Sequence, residues 1–102
     1  MATLPKEVSA AWEGREGPVV LTTVDTRGVP NAIYATCVRS FENDKIAVAD
    51  NYFNKTWTNI QGGSRGSVLF ITKDGKSYQV KGSVDYLADG PIYDAMRECL
   101  DP

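Results

Sequence analysis

Asp50-Asn51-Tyr52-Phe53-Asn54-Lys55-Thr56-Trp57-Thr58-Asn59-Ile60 holds the densest set of ligand-binding groups in the chain. With Asn54 as the cap of a helix, a rotation of about 100° per residue puts Phe53, Trp57 and Ile60 on one apolar stripe, expected to face the core. Lys55, Thr56 and Asn59 then share the neighbouring flank. An ammonium, a hydroxyl and an amide so gather at a helix N-terminus, where unpaired backbone N–H groups already favour anions. The chemistry that suits such a corner is the binding of a terminal phosphate. The same three residues also describe an ordinary solvated flank, and spacing leaves both readings open.

Other candidates are weaker. Gly62-Gly63-Ser64-Arg65-Gly66 has the composition of a phosphate cradle, but it follows the helix instead of preceding it and reads as a C-cap and loop. Cys37, in mid-strand, reads as a small buried residue and not as a nucleophile. Trp12 and Trp57, at helical spacings, read as core or interface anchors. Cys37 and Cys99 are the only cysteines and lie far apart, so neither a disulfide nor a CxxC redox pair is expected. The chain has no histidine, which removes the commonest metal ligand and the commonest general base near neutral pH. No metal site and no catalytic side chain are expected. Chemistry, if any, falls to an organic cofactor.

The totals narrow the class further. A chain of 102 residues makes one domain. Eleven Lys and Arg against thirteen Asp and Glu give a net charge of −2, which argues against nucleic acid, whose binders need a basic excess. No apolar run approaches the roughly 20 residues that span a bilayer. Residues 1–16 lack the basic-then-apolar layout of a signal peptide. The expected location is the cytoplasm, without a membrane partner.

The elements that must position these residues read mainly as strands. Leu4, Val8, Ala11 and Trp12 predict a helix over 5–12, stopped by Gly14 and Gly17. Val19-Val20-Leu21-Thr22-Thr23-Val24 predicts a buried strand. Asp25-Thr26-Arg27-Gly28 turns the chain into a second strand over 29–39, forming an antiparallel hairpin. After the turn Glu42-Asn43-Asp44, a third strand is expected over 45–49 and a helix over 51–61, ended by Gly62-Gly63. Strands follow over 66–72 and 77–87, joined by the turn Lys73-Asp74-Gly75-Lys76, with Gly82 as a bend. Pro91 suits the first position of a helix reaching Leu100. Short antiparallel connections point to a mainly β protein with flanking helices, a small antiparallel split β-barrel.

Taken in order, these pieces resemble the FMN-binding split-barrel family, which includes pyridoxamine 5′-phosphate oxidase-like proteins and small FMN-binding proteins. The resemblance covers about residues 4–98. It rests on the leading helix, the first strand, Thr26-Arg27-Gly28-Val29-Pro30, the strand over 32–38, and Lys45-Ile46-Ala47-Val48-Ala49-Asp50. It continues through Asn54-Lys55-Thr56-Trp57-Thr58-Asn59-Ile60, Gly82-Ser83-Val84 and Gly90-Pro91. It implies FMN bound at a homodimer interface, with the phosphate at Lys55, Thr56 and Asn59. It implies the ring and ribityl chain along Tyr34-Ala35-Thr36-Cys37, with contacts from Asp50 and Asn51. The family commonly adds a strand after the last helix, whereas this chain stops at Pro102. True oxidases grip their substrate with an arginine and a histidine from a C-terminal segment absent here, so pyridoxamine phosphate oxidation is not implied. The resulting expectation is a non-covalent FMN flavoprotein, a redox enzyme or electron carrier with a small-molecule or protein electron partner. The alternatives are a cofactor-free dimeric β-barrel interaction module, or a related barrel holding another planar ligand such as a deazaflavin or haem.

Overall fold

The computed structural model describes residues 4–42, 44–50 and 54–97. Its elements are α1 (Lys6–Glu13), β1 (Val19–Val24), β2 (Pro30–Ala35), β3 (Val38–Phe41), β4 (Lys45–Val48), α2 (Lys55–Gln61), β5 (Gly66–Ile71), β6 (Ser77–Gly82) and α3 (Pro91–Met96). The strands make two antiparallel sheets, one in the order β2-β1-β5-β6 and one of β3 and β4. The mainly β, antiparallel architecture with flanking helices is as expected; the strands do not close into one continuous sheet.

Local chemistry sets the hairpins. Asp25 Oδ1 accepts hydrogen bonds from the backbone N–H groups of Arg27 (2.9 Å) and Val29 (2.8 Å), an Asx turn that reverses the chain. Gly28 supplies the left-handed residue it needs, at φ 85°. Along β1 the side chains alternate, and Val19, Leu21 and Thr23 face inward. Trp12, Val19, Leu21, Val38, Val68 and Phe70 form the apolar core. Trp12 meets Phe70 edge-on at 5.2 Å, and Phe70 stacks on Tyr78 at 5.5 Å. Each such buried side chain contributes about 1.5–3 kcal/mol from burial. Arg15 lies 4.0 Å from the Trp12 ring and donates to the carbonyls of Trp12 (2.9 Å) and Val38 (3.3 Å). It thereby ties the end of α1 to β3.

The strand expected over 29–39 is two strands in different sheets, separated by Thr36 and Cys37. On β2 the half-buried residues are Asn31, Ile33 and Ala35. An unbroken strand would continue that phase, turning Arg39 inward and Val38 outward. The two-residue break reverses the phase, so Val38 is buried and Arg39 exposed. The strand expected over 77–87 ends at Gly82, which pairs with Gly66, the first residue of β5. Beyond it the described residues offer no strand for pairing, and Val84 crosses over Gly66, where an added Cβ would lie 2.7 Å from Val84 Cγ2. Residues 83–90 therefore form a loop. Pro91 opens α3 as expected, Met96 is buried, and Arg39 donates to the Ala95 carbonyl at 3.2 Å. The expected C-terminal end of that helix lies outside the described residues.

Candidate functional site

Helix α2 begins at Lys55, and Asn54 stands at its N-cap without making a side-chain capping bond. The first part of the helix expected over 51–61, including Phe53, lies outside the described residues. Gly62 and Gly63 end α2 as expected, Gly63 at φ 90°. The face turned inward differs from the expected one. Thr56 and Asn59 are buried, at 1% and 3% exposure, whereas Trp57 and Ile60 are only half-buried. The cause lies beneath the helix. Thr23, on an inward position of β1, and Asn31, on β2, are polar, and buried polar groups require partners. Asn59 Nδ2 donates to Thr23 Oγ1 at 3.0 Å, and Asn31 Nδ2 donates to Thr56 Oγ1 at 3.1 Å. Asn59 Oδ1 is buried with no hydrogen-bond partner among the described residues.

These bonds leave Lys55 on the exposed side, where it makes no ion pair with the described residues. Its charge and that of Arg27 are both felt at Asp25. The Asp25 carboxyl is held below the usual carboxylate range, first by the Val29 N–H, then by the Arg27 N–H and by the charges of Arg27 and Lys55. Two cations and one carboxylate thus share the corner between the β1–β2 turn and α2. The Thr26 methyl closes the far end, 3.2 Å from where a Cβ on Gly62 would stand.

The strand residues implied for ring binding are spread along and beyond β2, an edge strand whose outer backbone groups face no other strand among the described residues. Tyr34 points outward and is 79% exposed; Ala35 is half-buried and Thr36 exposed. Asn31, which holds Thr56, precedes Tyr34 by three residues, about 10 Å along a strand. Cys37 is half-buried and disulfide-bonded, a correction to the expectation of no disulfide. The other cysteine of the chain, Cys99, lies outside the described residues. Spacing failed as a guide because α3 is carried back onto β3, as the Arg39–Ala95 bond records. The Cys37 carbonyl also accepts from the Ala49 N–H at 3.1 Å, which fixes it at the root of the β3–β4 hairpin.

Asp50 is half-buried and accepts a hydrogen bond from the Tyr86 phenol, while Asn51 lies outside the described residues. The Tyr86 ring packs on Trp57 at 4.2 Å with 56° between planes. Its phenol is pushed up to about 12, mainly by the bond to Asp50, then by burial and by the charge of Asp50. Sequence reasoning placed Tyr86 on a strand face and missed this contact. It also missed Thr23 and Asn31, although a polar residue in phase with Val19 and Leu21 is a legible signal that a partner must arrive. Two surface hollows, of about 270 and 460 Å³, lie against α1 and include neither α2 nor residues 34–37. Among the described residues no group of acidic or cysteine side chains could hold a metal ion, and no helix is long and apolar enough to cross a membrane.

The family model of pyridoxamine 5′-phosphate oxidase matches residues 4–100. The chain belongs to that family. Family and fold together support a flavin-binding split-barrel protein. An uncharacterized protein of Methanocaldococcus jannaschii, MJ0282, is 28% identical over 74 residues, 71% of this chain and 50% of its own length. The chain thus spans about half the length of this curated relative. Two crystal structures of HupZ from Group A Streptococcus share the fold, at TM-scores of 0.77 and 0.78 and 18% identity. Each alignment covers 94% of this chain, with 80% and 76% of the respective HupZ chains.

Proposed function

We propose that the protein binds FMN without covalent attachment, as a homodimer, and serves as a redox enzyme or electron carrier. The observation that carries this reading is the exposed Lys55 ammonium at the first turn of a helix whose rotation is set from beneath by Asn31 and Thr23. The donor set fits a phosphate-bearing planar ligand. Lys55 supplies a charge, and the first backbone N–H groups of α2 have no intrahelical acceptor. The open edge of β2 offers further peptide groups to the polar rim of a ring. Thr56 and Asn59 have a different role from the one the family pattern implies. Their side chains are engaged with Asn31 and Thr23, so they orient α2, and Thr56 meets a ligand through its peptide N–H. Asp50 and the segment 34–37 remain the ring-side candidates.

When bound, FMN supplies hydride or single-electron transfer. The residues of this chain bind and orient it. One observation favours the rival reading, a cofactor-free dimeric interaction module: two of the three expected phosphate side chains are already engaged inside the fold. Titration with FMN separates the two. The flavoprotein takes up the yellow chromophore and is stabilised in proportion to the logarithm of free FMN over its dissociation constant. A colourless protein whose stability ignores FMN sinks the flavin reading. Lys55→Ala should weaken FMN by about 10- to 100-fold, the value of a hydrogen bond to a charged group, and should leave riboflavin binding unchanged. Equal losses for the two ligands would refute the phosphate role of Lys55.

A further inference from the structure

We infer that Tyr86 is a positioning residue of the flavin site, holding Asp50 and Trp57 in one arrangement; this rests on the FMN reading above. Tyr86 lies in the loop over 83–90, which has left the sheet. Its phenol donates to the Asp50 carboxylate just after β4, and its ring packs at 4.2 Å on Trp57 in α2. Asp50 and Trp57 stand on either side of the connection that leads from β4 into α2. One side chain thus contacts both Asp50, after β4, and Trp57, in α2. A ring that served only to anchor its own loop would be expected inside the apolar core. Tyr86 instead remains 44% exposed, next to an equally exposed Leu87, and its specific contacts are with the candidate site. The phenol–carboxylate bond directs the Asp50 carboxylate towards the loop, and the ring packs on Trp57, the neighbour of Thr56.

The test compares Tyr86→Phe, which keeps the ring and loses the hydrogen bond, with Tyr86→Leu, which loses both. Affinities for FMN and riboflavin, the visible band of the bound flavin, tryptophan emission and melting temperature are measured for each. Tyr86→Phe should weaken FMN and riboflavin by the same factor, about tenfold, because Asp50 serves the ring side and not the phosphate. It should also shift the flavin band, with emission near that of the parent and a fall in melting temperature no larger than the loss of one hydrogen bond brings. Tyr86→Leu should weaken both ligands further and change the emission. Unchanged affinity and an unchanged flavin band in Tyr86→Phe, in a parent that binds FMN, would overturn the positioning role and leave the FMN reading standing. Losses that merely track a falling melting temperature would likewise reduce Tyr86 to a loop anchor. A parent that takes up no FMN removes the FMN reading itself, and this inference with it.

Discussion

The inner face of the four-stranded sheet has two ends of opposite character. Towards α1, Trp12, Val19, Val68 and Phe70 pack as an apolar cluster, whose contribution is proportional to area and indifferent to direction. Towards α2, Thr23, Asn31, Thr56 and Asn59 meet through two hydrogen bonds, each of which requires a given donor to face a given acceptor. The apolar end supplies stability, and the polar end supplies orientation. The difference matters because α2 has only seven residues, below the roughly 12–15 at which an isolated helix persists in water. Its rotation is decided by what it meets, and that rotation leaves Lys55 outside. A wholly apolar underside would have turned Trp57 and Ile60 inward and carried Lys55 elsewhere.

Breaking the apolar end should have the largest effect. Phe70→Ala removes the ring that joins Trp12 to Tyr78 and should cost about 3–5 kcal/mol in urea unfolding, with little change in the ratio of FMN to riboflavin affinity in the protein that remains folded. The Cys37 disulfide belongs to neither end, and its reduction, or Cys37→Ser, should cost roughly 2–4 kcal/mol. An unfolding midpoint indifferent to reductant would mean that the bond does not form in solution. Persistent disulfides are rare in a reducing cytosol, so a measured requirement for the bond would also count against the cytoplasmic expectation. At the polar end, Thr23→Val leaves the Asn59 amide buried without an acceptor, a loss of about 1–3 kcal/mol. Thr23→Val combined with Asn59→Leu should recover most of the stability, because both polar partners are then gone. It should not recover the orientation of α2, and selective FMN binding is the measurement that tells these apart.

The smallest effect concerns Tyr86, outside both ends. Its phenol ionises near 10 in the unfolded chain and at about 12 in the fold. The folded state therefore keeps a proton that the unfolded state loses. The contribution is complete below pH 10 and disappears as pH rises through about 12. Stability should decline across that window more steeply in the parent than in Tyr86→Phe; identical slopes would show that the Tyr86–Asp50 bond is absent in solution.

Much of the architecture was readable from residue type and period. The β-branched run 19–24, the Asp25–Gly28 turn, the Gly62-Gly63 stop and Pro91 at the start of a helix each act through local backbone preference, and local preference is written into the chain. The site was readable in part. Lys55 at the opening of α2 followed from helical spacing, whereas the rotation of that helix did not. An apolar stripe turns inward only over an apolar underside, and the polar Thr23 and Asn31 lie 36 and 25 residues from their partners in α2.

The amino-acid sequence by itself determined the Asp25–Gly28 hairpin, the Gly62-Gly63 stop, the opening of α3 at Pro91 and the place of Lys55 at the start of α2. Those properties depend on neighbours within a few positions. Tertiary structure alone decided that the chain would change sheets at Thr36-Cys37, reversing which side chains face inward. It alone decided that Thr56 and Asn59 would be buried, that Tyr86 would reach Asp50, and that Cys37 would enter a disulfide. Each of these is settled by a partner distant in the chain, and the need to bury apolar area while pairing every buried polar group selects that partner only once the sheets are assembled.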